Sequence, residues 1–321
     1  MLARGPVVLG IGGLTLDGVD RERLLHPLVG GVILFSRNYE NVEQLAALTA
    51  QIHALRTPAL LISVDHEGGR VQRFRDGFTA IPPMRTLGDM WQRDAAAAGL
   101  EARRVGGVIA RELRAQGVDF SFTPVLDVDF GTSAVIGDRA FSDDPDVVAE
   151  LAVALCRGLR EGGCAAVGKH FPGHGGVAAD SHVALPIDAR PLADIVAADI
   201  VPFARLISRG ALDGVMPAHI VYPAVAPEPA GFSPRWLQEI LRAEMGFDGV
   251  VFSDDLEMAG AHGAGDVVAR ADAAVAAGCD MVLACNDFAT MDDLLARWRP
   301  PAAPHRAARL ARMRRGGTPP G

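Results

Sequence analysis

The chain has almost no lysine. Of its 31 basic residues 30 are arginine, and Lys169 is the single lysine in 321 residues. A guanidinium fork cannot replace a compact ammonium with three rotatable donors, or an amine that releases its proton. A site that keeps lysine against such a bias has a chemical task. Cysteine is scarce as well. Cys156, Cys164, Cys279 and Cys285 include no CxxC pair and sit among apolar neighbours, the pattern of small buried thiols in a reducing compartment. No apolar stretch approaches the roughly 18 residues that a membrane span needs. The short N-terminal apolar run is broken by Gly10, Gly12 and Gly13, with no small-residue cleavage site after it, unlike a signal peptide. Positive charge is not in excess: the formal net charge is −8, which argues against nucleic acid as a main partner. A cytoplasmic protein without nucleic-acid or membrane partners is expected, acting as a monomer.

What is present is a large apolar fraction, 49%, with 22% charged residues, enough for a sizeable core. Short runs rich in Val, Ile and Leu recur at 7–12, 31–36, 59–65, 118–124, 164–169, 213–219, 249–254 and 280–285. Most follow a glycine suited to ending a helix: Gly30, Gly117, Gly163, Gly210, Gly246 and Gly278. Helical patterns lie between them at 42–55, 95–116, 145–161, 192–208, 234–245, 267–277 and 291–298, with start signals at Asp143-Asp144-Pro145 and Ser233-Pro234. Eight apolar strands alternating with helices predict a single-domain α/β protein, a (β/α)8 barrel over 1–300, followed by an Arg/Pro/Gly-rich helix end and tail at 301–321. An open doubly wound sheet is the alternative, but Gly10-Ile11-Gly12-Gly13 does not fit its GxGxxG phosphate loop. After Asp293 there are seven arginines and no acid, read as the exposed face of a last helix and a frayed tail rather than an RNA- or lipid-binding arm.

The polar residues fall at the ends of these strands. Asp65-His66-Glu67 follows the third, Asp127 and Asp129 the fourth, Lys169-His170 the fifth, His219 the sixth, Asp254-Asp255 the seventh and Asn286-Asp287 the eighth. In a barrel they converge on one mouth, where catalytic groups collect. Asp254 ends a strand and is a candidate nucleophile, base or ligand; its neighbour Asp255 points the other way if the strand runs straight. Asp180 lies two residues before His182 in a loop rich in Gly and Ala. An acid beside a histidine fixes its tautomer and raises its pKa, which makes a proton donor near neutral pH. Asp65, Arg73 and Arg139 are suited to hydroxyl or carboxylate groups of a sugar, or to internal ion pairs. The spacing of His170 and His174 with Asp180 or His219 matches no metal-ligand pattern, and neither metal nor cofactor is expected.

Lys-His-Phe-Pro-Gly-His-Gly at 169–175, Asp-Ser-His at 180–182 and Phe-Ser-Asp-Asp-Leu-Glu-Met at 252–258 resemble the bacterial β-N-acetylglucosaminidases of glycoside hydrolase family 3, the NagZ type. Asp65 to Arg73, Phe35-Ser36-Arg37-Asn38 and Gly137 to Ser142 extend the resemblance over nearly the whole chain, in order. The resemblance implies a TIM barrel acting on β-linked N-acetylglucosamine. Its typical substrate is a cytoplasmic muropeptide fragment with that sugar on 1,6-anhydro-N-acetylmuramic acid, released in cell-wall recycling. It further implies Asp254 as nucleophile, His182 as acid/base with Asp180 as its partner, and Asp65, Arg73, Arg139, Lys169 and His170 as sugar-binding groups. Two departures stand out. Gly176-Val177 replace a common Asp-Thr, and His66 replaces a common Gln, which puts a histidine at the expected pocket rim.

Two other readings compete. A lone lysine at a strand end also suits a Schiff-base enzyme, though such an enzyme does not need the Asp180/His182 pair and Asp254 together. A sugar-binding protein without catalysis would keep Asp65, Arg73 and Lys169 but has no need of Asp254 and His182.

Overall fold

The computed structural model describes residues 4–178 and 185–314. Eight parallel strands close a barrel: β1 (Val7–Leu9), β2 (Val29–Leu34), β3 (Leu61–Val64), β4 (Phe120–Ser121), β5 (Ala165–Phe171), β6 (Gly214–Pro217), β7 (Val250–Asp255) and β8 (Met281–Ala284). Each pairs with its sequence neighbours, and β1 pairs with β8 to seal the ring. All eight expected strands are there, and the doubly wound alternative falls because the sheet has no edges.

Each strand is followed by a helix: α1 (Gly18–Leu25), α2 (Val42–Ala54), α3 (Ala95–Ala115), α4 (Pro145–Glu161), α5 (Ile200–Ser208), α6 (Arg235–Glu244), α7 (Val267–Ala277) and α8 (Phe288–Arg297). Their starts obey local chemistry. The Asp144 side chain accepts from the Asp146 and Val147 amides, with Pro145 in the first turn. Ser233 is no such cap, since its hydroxyl is buried without a partner among the described residues. Of the expected helix-ending glycines, Gly163 sits at φ 86°, open to glycine at no steric cost. Gly30 has a different role: it lies inside β2, where a Cβ would collide with the Gly5 carbonyl. The expected 192–208 helix is broken into Leu192–Ala197 and α5, with buried Asp199 at the joint. Helix α1 was not expected, because its eight residues carry too weak an apolar stripe.

Strand alternation divides the core in two. Val7, Leu9, Val251 and Ala166 face the helices. Val8, Phe120, Ala165, Val167, Val250, Phe252 and Leu283 fill the barrel. There Phe120, Phe122 and Phe252 pack with ring centroids 5.3–5.7 Å apart. Below them a last helix, Pro304–Arg312, lies across the N-terminal end of the barrel and sends Leu310 and Met313 into the same inner cluster. Its arginines are not simply an exposed face. Arg306 is buried, Arg309 pairs with Asp280 at 3.0 Å, and Arg314 just beyond pairs with the buried Asp119 at 3.2 Å. Tucking the helix under the barrel turns those cations onto acids at the strand starts.

Candidate active site

The alternation that fills the barrel also aims the chemistry. Ala165 and Val167 point inward, and Lys169 continues their row at the C-terminal end of β5; Val250 and Phe252 do the same for Asp254 on β7. Two irregularities add what parity does not provide. Register shifts between Phe252 and Asp255, and between Lys169 and Phe171, bring Asp255 and His170 to the same mouth. A cavity of about 590 Å³ opens there, lined by Asp65, Arg73, Arg139, Lys169, His170 and Asp254 among others. These are all the expected site residues that the described chain contains. His182 and Asp180 lie outside the described residues.

Lys169 is the hub. Its ammonium stands 2.7 Å from Asp65 and 2.6 Å from Glu67, and the residue is only 3% exposed. Arg139 grips the same Glu67 through two parallel bonds of 2.8 and 2.9 Å. Burial opposes the charge on all three, but the partners win. Glu67 is held well below the usual carboxylate range by Arg139 and Lys169, and Arg139 is raised in return. Lys169 is likewise pushed up, by Asp65 and Glu67 against the cost of burial. An amine held so firmly as an ammonium is a poor Schiff-base nucleophile, which removes the imine reading. Glu67 lay in an expected strand-end triplet without an assigned role. Nothing in sequence said that it would meet a lysine 102 positions on.

Asp65 spends one oxygen on Lys169 and lies 3.7 Å from Arg73. Arg73 lines the cavity with its side chain part-exposed, so its guanidinium can turn a donor to a ligand. Asp127, fully buried, orders the fifth strand end. It accepts from the His170 ring at 2.7 Å and from the His170 and His174 amides at 3.2 and 2.7 Å. Burial works against its charge, and His170 still draws its pKa down. With Nδ1 committed to Asp127, the Nε2 of His170 is the nitrogen left for a ligand. Its rigid partner was legible only as a nearby acid.

Asp254 accepts from the Asp255 amide at 2.9 Å. Asp255 is not turned away from the pocket as a straight strand requires. Its carboxylate accepts from the Glu257 amide and from Asn286. Burial, then the nearby Glu257 and Asp254 charges, push its pKa up to about 7. His219 is buried behind it, bonded to the Asp255 carbonyl, and its pKa is lowered by burial. His66 is a correction: it is not at the rim but fully buried against Phe74 and Phe78, and burial lowers its pKa to about 4. Among the described residues no group of three or more His, Cys, Asp or Glu side chains is placed to hold a metal ion.

Known proteins share this arrangement of chain. Residues 11–298 match the glycosyl hydrolase family 3 N-terminal domain. A β-hexosaminidase of Chromobacterium violaceum is 60% identical over 312 residues, covering 97% of this chain and 87% of that protein. One of Aromatoleum aromaticum is 59% identical over 311 residues, with the same coverage. The crystal structure of NagZ from Neisseria gonorrhoeae in complex with N-trifluoroacetyl-D-glucosamine is 51% identical, with a TM-score of 0.93, covering 98% of this chain and 91% of that one. Barrel, family match and relatives agree: the chain belongs to glycosyl hydrolase family 3, as a glycoside hydrolase of the β-hexosaminidase type.

Proposed function

We propose that this enzyme is a retaining exo-β-N-acetylglucosaminidase. It removes terminal β-linked N-acetylglucosamine from cytoplasmic muropeptides, where that sugar is joined to 1,6-anhydro-N-acetylmuramic acid, and so serves peptidoglycan recycling. The observation that carries the reading is the position of Asp254, at the wall of the same cavity as Lys169, Asp65, Arg73, Arg139 and His170. The cavity lining includes Phe122, Met216 and Leu283, which belong to the barrel interior. A pocket with such a floor accepts a chain end, which favours exo action. The amino sugar bound by the Neisseria gonorrhoeae relative supports the same sugar class here.

In this mechanism Asp65 accepts from sugar hydroxyls and Arg73 donates to them, while the Nε2 of His170, whose Nδ1–H donates to Asp127, accepts. Lys169 and Arg139, locked through Glu67, hold Asp65 and the cavity wall in place. Asp254 attacks the anomeric carbon and His182 protonates the leaving oxygen, with Asp180 fixing the ring. The glycosyl–Asp254 ester is then hydrolysed by a water that His182 deprotonates, which retains configuration. A histidine here takes the part that a second carboxyl plays in most retaining enzymes.

The test is release of p-nitrophenol from the β-N-acetylglucosaminide and the β-glucoside, side by side, followed by the muropeptide. Fast release from the first alone, with cleavage of the muropeptide, is expected. Equal release from both would mean a broader β-glycosidase, and no cleavage of any would overturn the reading. His182→Ala should slow muropeptide cleavage far more than release of p-nitrophenol, which leaves without a proton.

A further inference from the structure

Arg190 and Asp199 lie outside the cavity lining, and Asp199 is a buried acid that the mechanism does not use. A buried carboxylate needs a partner, and Asp199 has one in Arg190, at 2.9 Å. The same guanidinium bonds Asp188 at 2.6 Å and lies over the Phe130 ring, 4.8 Å from its centre. These contacts tie the downstream flank of the 179–184 segment to the start of α5 and to Phe130. On the downstream side, Asp188 donates its amide to the Val221 carbonyl, and Val221 donates back to Pro186. On the upstream side, the Tyr222 hydroxyl donates to the Gly173 carbonyl at 2.5 Å. A Cβ on Gly173 would stand 2.5 Å from the Asp199 carboxylate, and one on Gly176 would stand 2.5 Å from the Arg190 guanidinium. The upstream flank is thus pressed onto the Arg190–Asp199 pair, and bare glycine is what lets it approach. At 176 the room for a side chain is taken by Arg190.

We propose that Arg190 and Asp199 are positioning residues for the reaction, a clamp that fastens both flanks of the 179–184 segment to the barrel and so sets where His182 works. The proposal rests on the acid/base reading of His182. Positioning matters steeply here, since a misplacement of about 1 Å can cost about 100-fold in rate.

The experiment compares Arg190→Gln, Arg190→Lys and Asp199→Asn with His182→Ala and the unaltered enzyme. Rates are measured on an activated aryl β-N-acetylglucosaminide and on the methyl glycoside, with and without azide. Azide attacks the anomeric carbon of the glycosyl–Asp254 ester, the carbon–oxygen bond breaks, and the free carboxylate and a β-glycosyl azide result; no general base is needed. Arg190→Gln and Asp199→Asn should lose about 100-fold on the methyl glycoside and about tenfold or less on the aryl one. Azide should speed their aryl turnover and give the glycosyl azide, and Arg190→Lys should recover part of the loss. Asp199→Asn keeps the shape of the site and carries the test if Arg190→Gln does not fold. Equal losses on both substrates, or no response to azide, while His182→Ala shows both signatures, would overturn the clamp and leave the acid/base reading intact. Neither signature in His182→Ala would overturn that reading and the clamp with it.

Discussion

The two ends of the barrel are built from the same materials, buried acids and cations, and do opposite things with them. At the N-terminal end, acids stand just before alternate strands and use their oxygens twice. Asp119, Asp213 and Asp280 accept from the Ile62, Ala166 and Val251 amides of the preceding strand. Arginines add to them: Arg114 and Arg314 take the other oxygen of Asp119, Arg309 takes that of Asp280, and Arg242 shares the Asp280 oxygen that accepts from Val251. At the C-terminal end Asp65 and Glu67 meet a lysine, Arg139 takes the other side of Glu67, and a cavity remains in front of them. A planar fork suits the floor because one guanidinium can reach several acceptors, as Arg242 does with Asp280 and the Phe247 and Gly249 carbonyls, and Arg309 with Asp280 and Asp248. A point charge suits the mouth because it sits between two carboxylates without covering them. One end closes the fold, and the other is kept open for substrate.

The comparison is broken most severely at its top. Lys169→Met leaves the half-buried Asp65 and the buried Glu67 without their shared cation. A stability loss of about 3–5 kcal/mol is expected, with kcat/KM down by about 100-fold or more from misplaced sugar contacts; melting curves and steady-state rates check both. Asp119→Ala should cost a similar stability, about 3–5 kcal/mol, but leave kcat/KM of the folded enzyme unchanged. A matching activity loss would mean that the two ends are coupled. Leu310→Ala, which empties a buried position under the inner cluster, should cost about 2–5 kcal/mol and again spare activity.

A pH titration sharpens the contrast at the mouth. Asp255 keeps its proton up to about pH 7, whereas its ordinary value is 3.8. Between those values the folded state binds more protons than the unfolded one, so this group makes stability fall as pH rises, with the loss complete above about 7. Asp255→Asn should flatten that part of the stability–pH curve; an unchanged slope would show that Asp255 is not its source. Glu67, with its pKa depressed, acts in the other direction and contributes stability that is lost only as pH falls below the ordinary carboxylate range. The smallest effect is expected at the exposed rim of the floor. Asp248 is largely solvent-facing although Arg309 and Arg312 reach it, and Asp248→Asn should shift stability by about 1 kcal/mol or less.

How much of this was legible is clearest residue by residue. The inward aim of Lys169 and Asp254 follows from counting twos along apolar runs, so both were within reach of the bare sequence. Asp255 and His170 broke that count because their strands shift register, which depends on neighbouring strands. Glu67 and Asp127 were visible as acids but not as partners, since their cations and amides arrive from 43 or more positions away. The stretch 301–321 was expected as a helix end and frayed tail with its arginines outward, yet it holds a separate helix, Pro304–Arg312. It lies beneath the barrel, a placement that periodicity cannot encode because an amphipathic stripe does not name the surface it will cover.

The sequence by itself determined the eight strands, the closed α/β architecture they imply, and the residues gathered at the strand ends, because side-chain alternation and helix termination are local physics. Tertiary structure alone decided which charges meet. Ring closure and the register of one strand on the next set the few ångströms that make Glu67 a shared counter-ion, Arg190 the partner of both Asp188 and Asp199, and Asp119 a sealed floor. Electrostatic energy depends on those distances and not on separation along the chain.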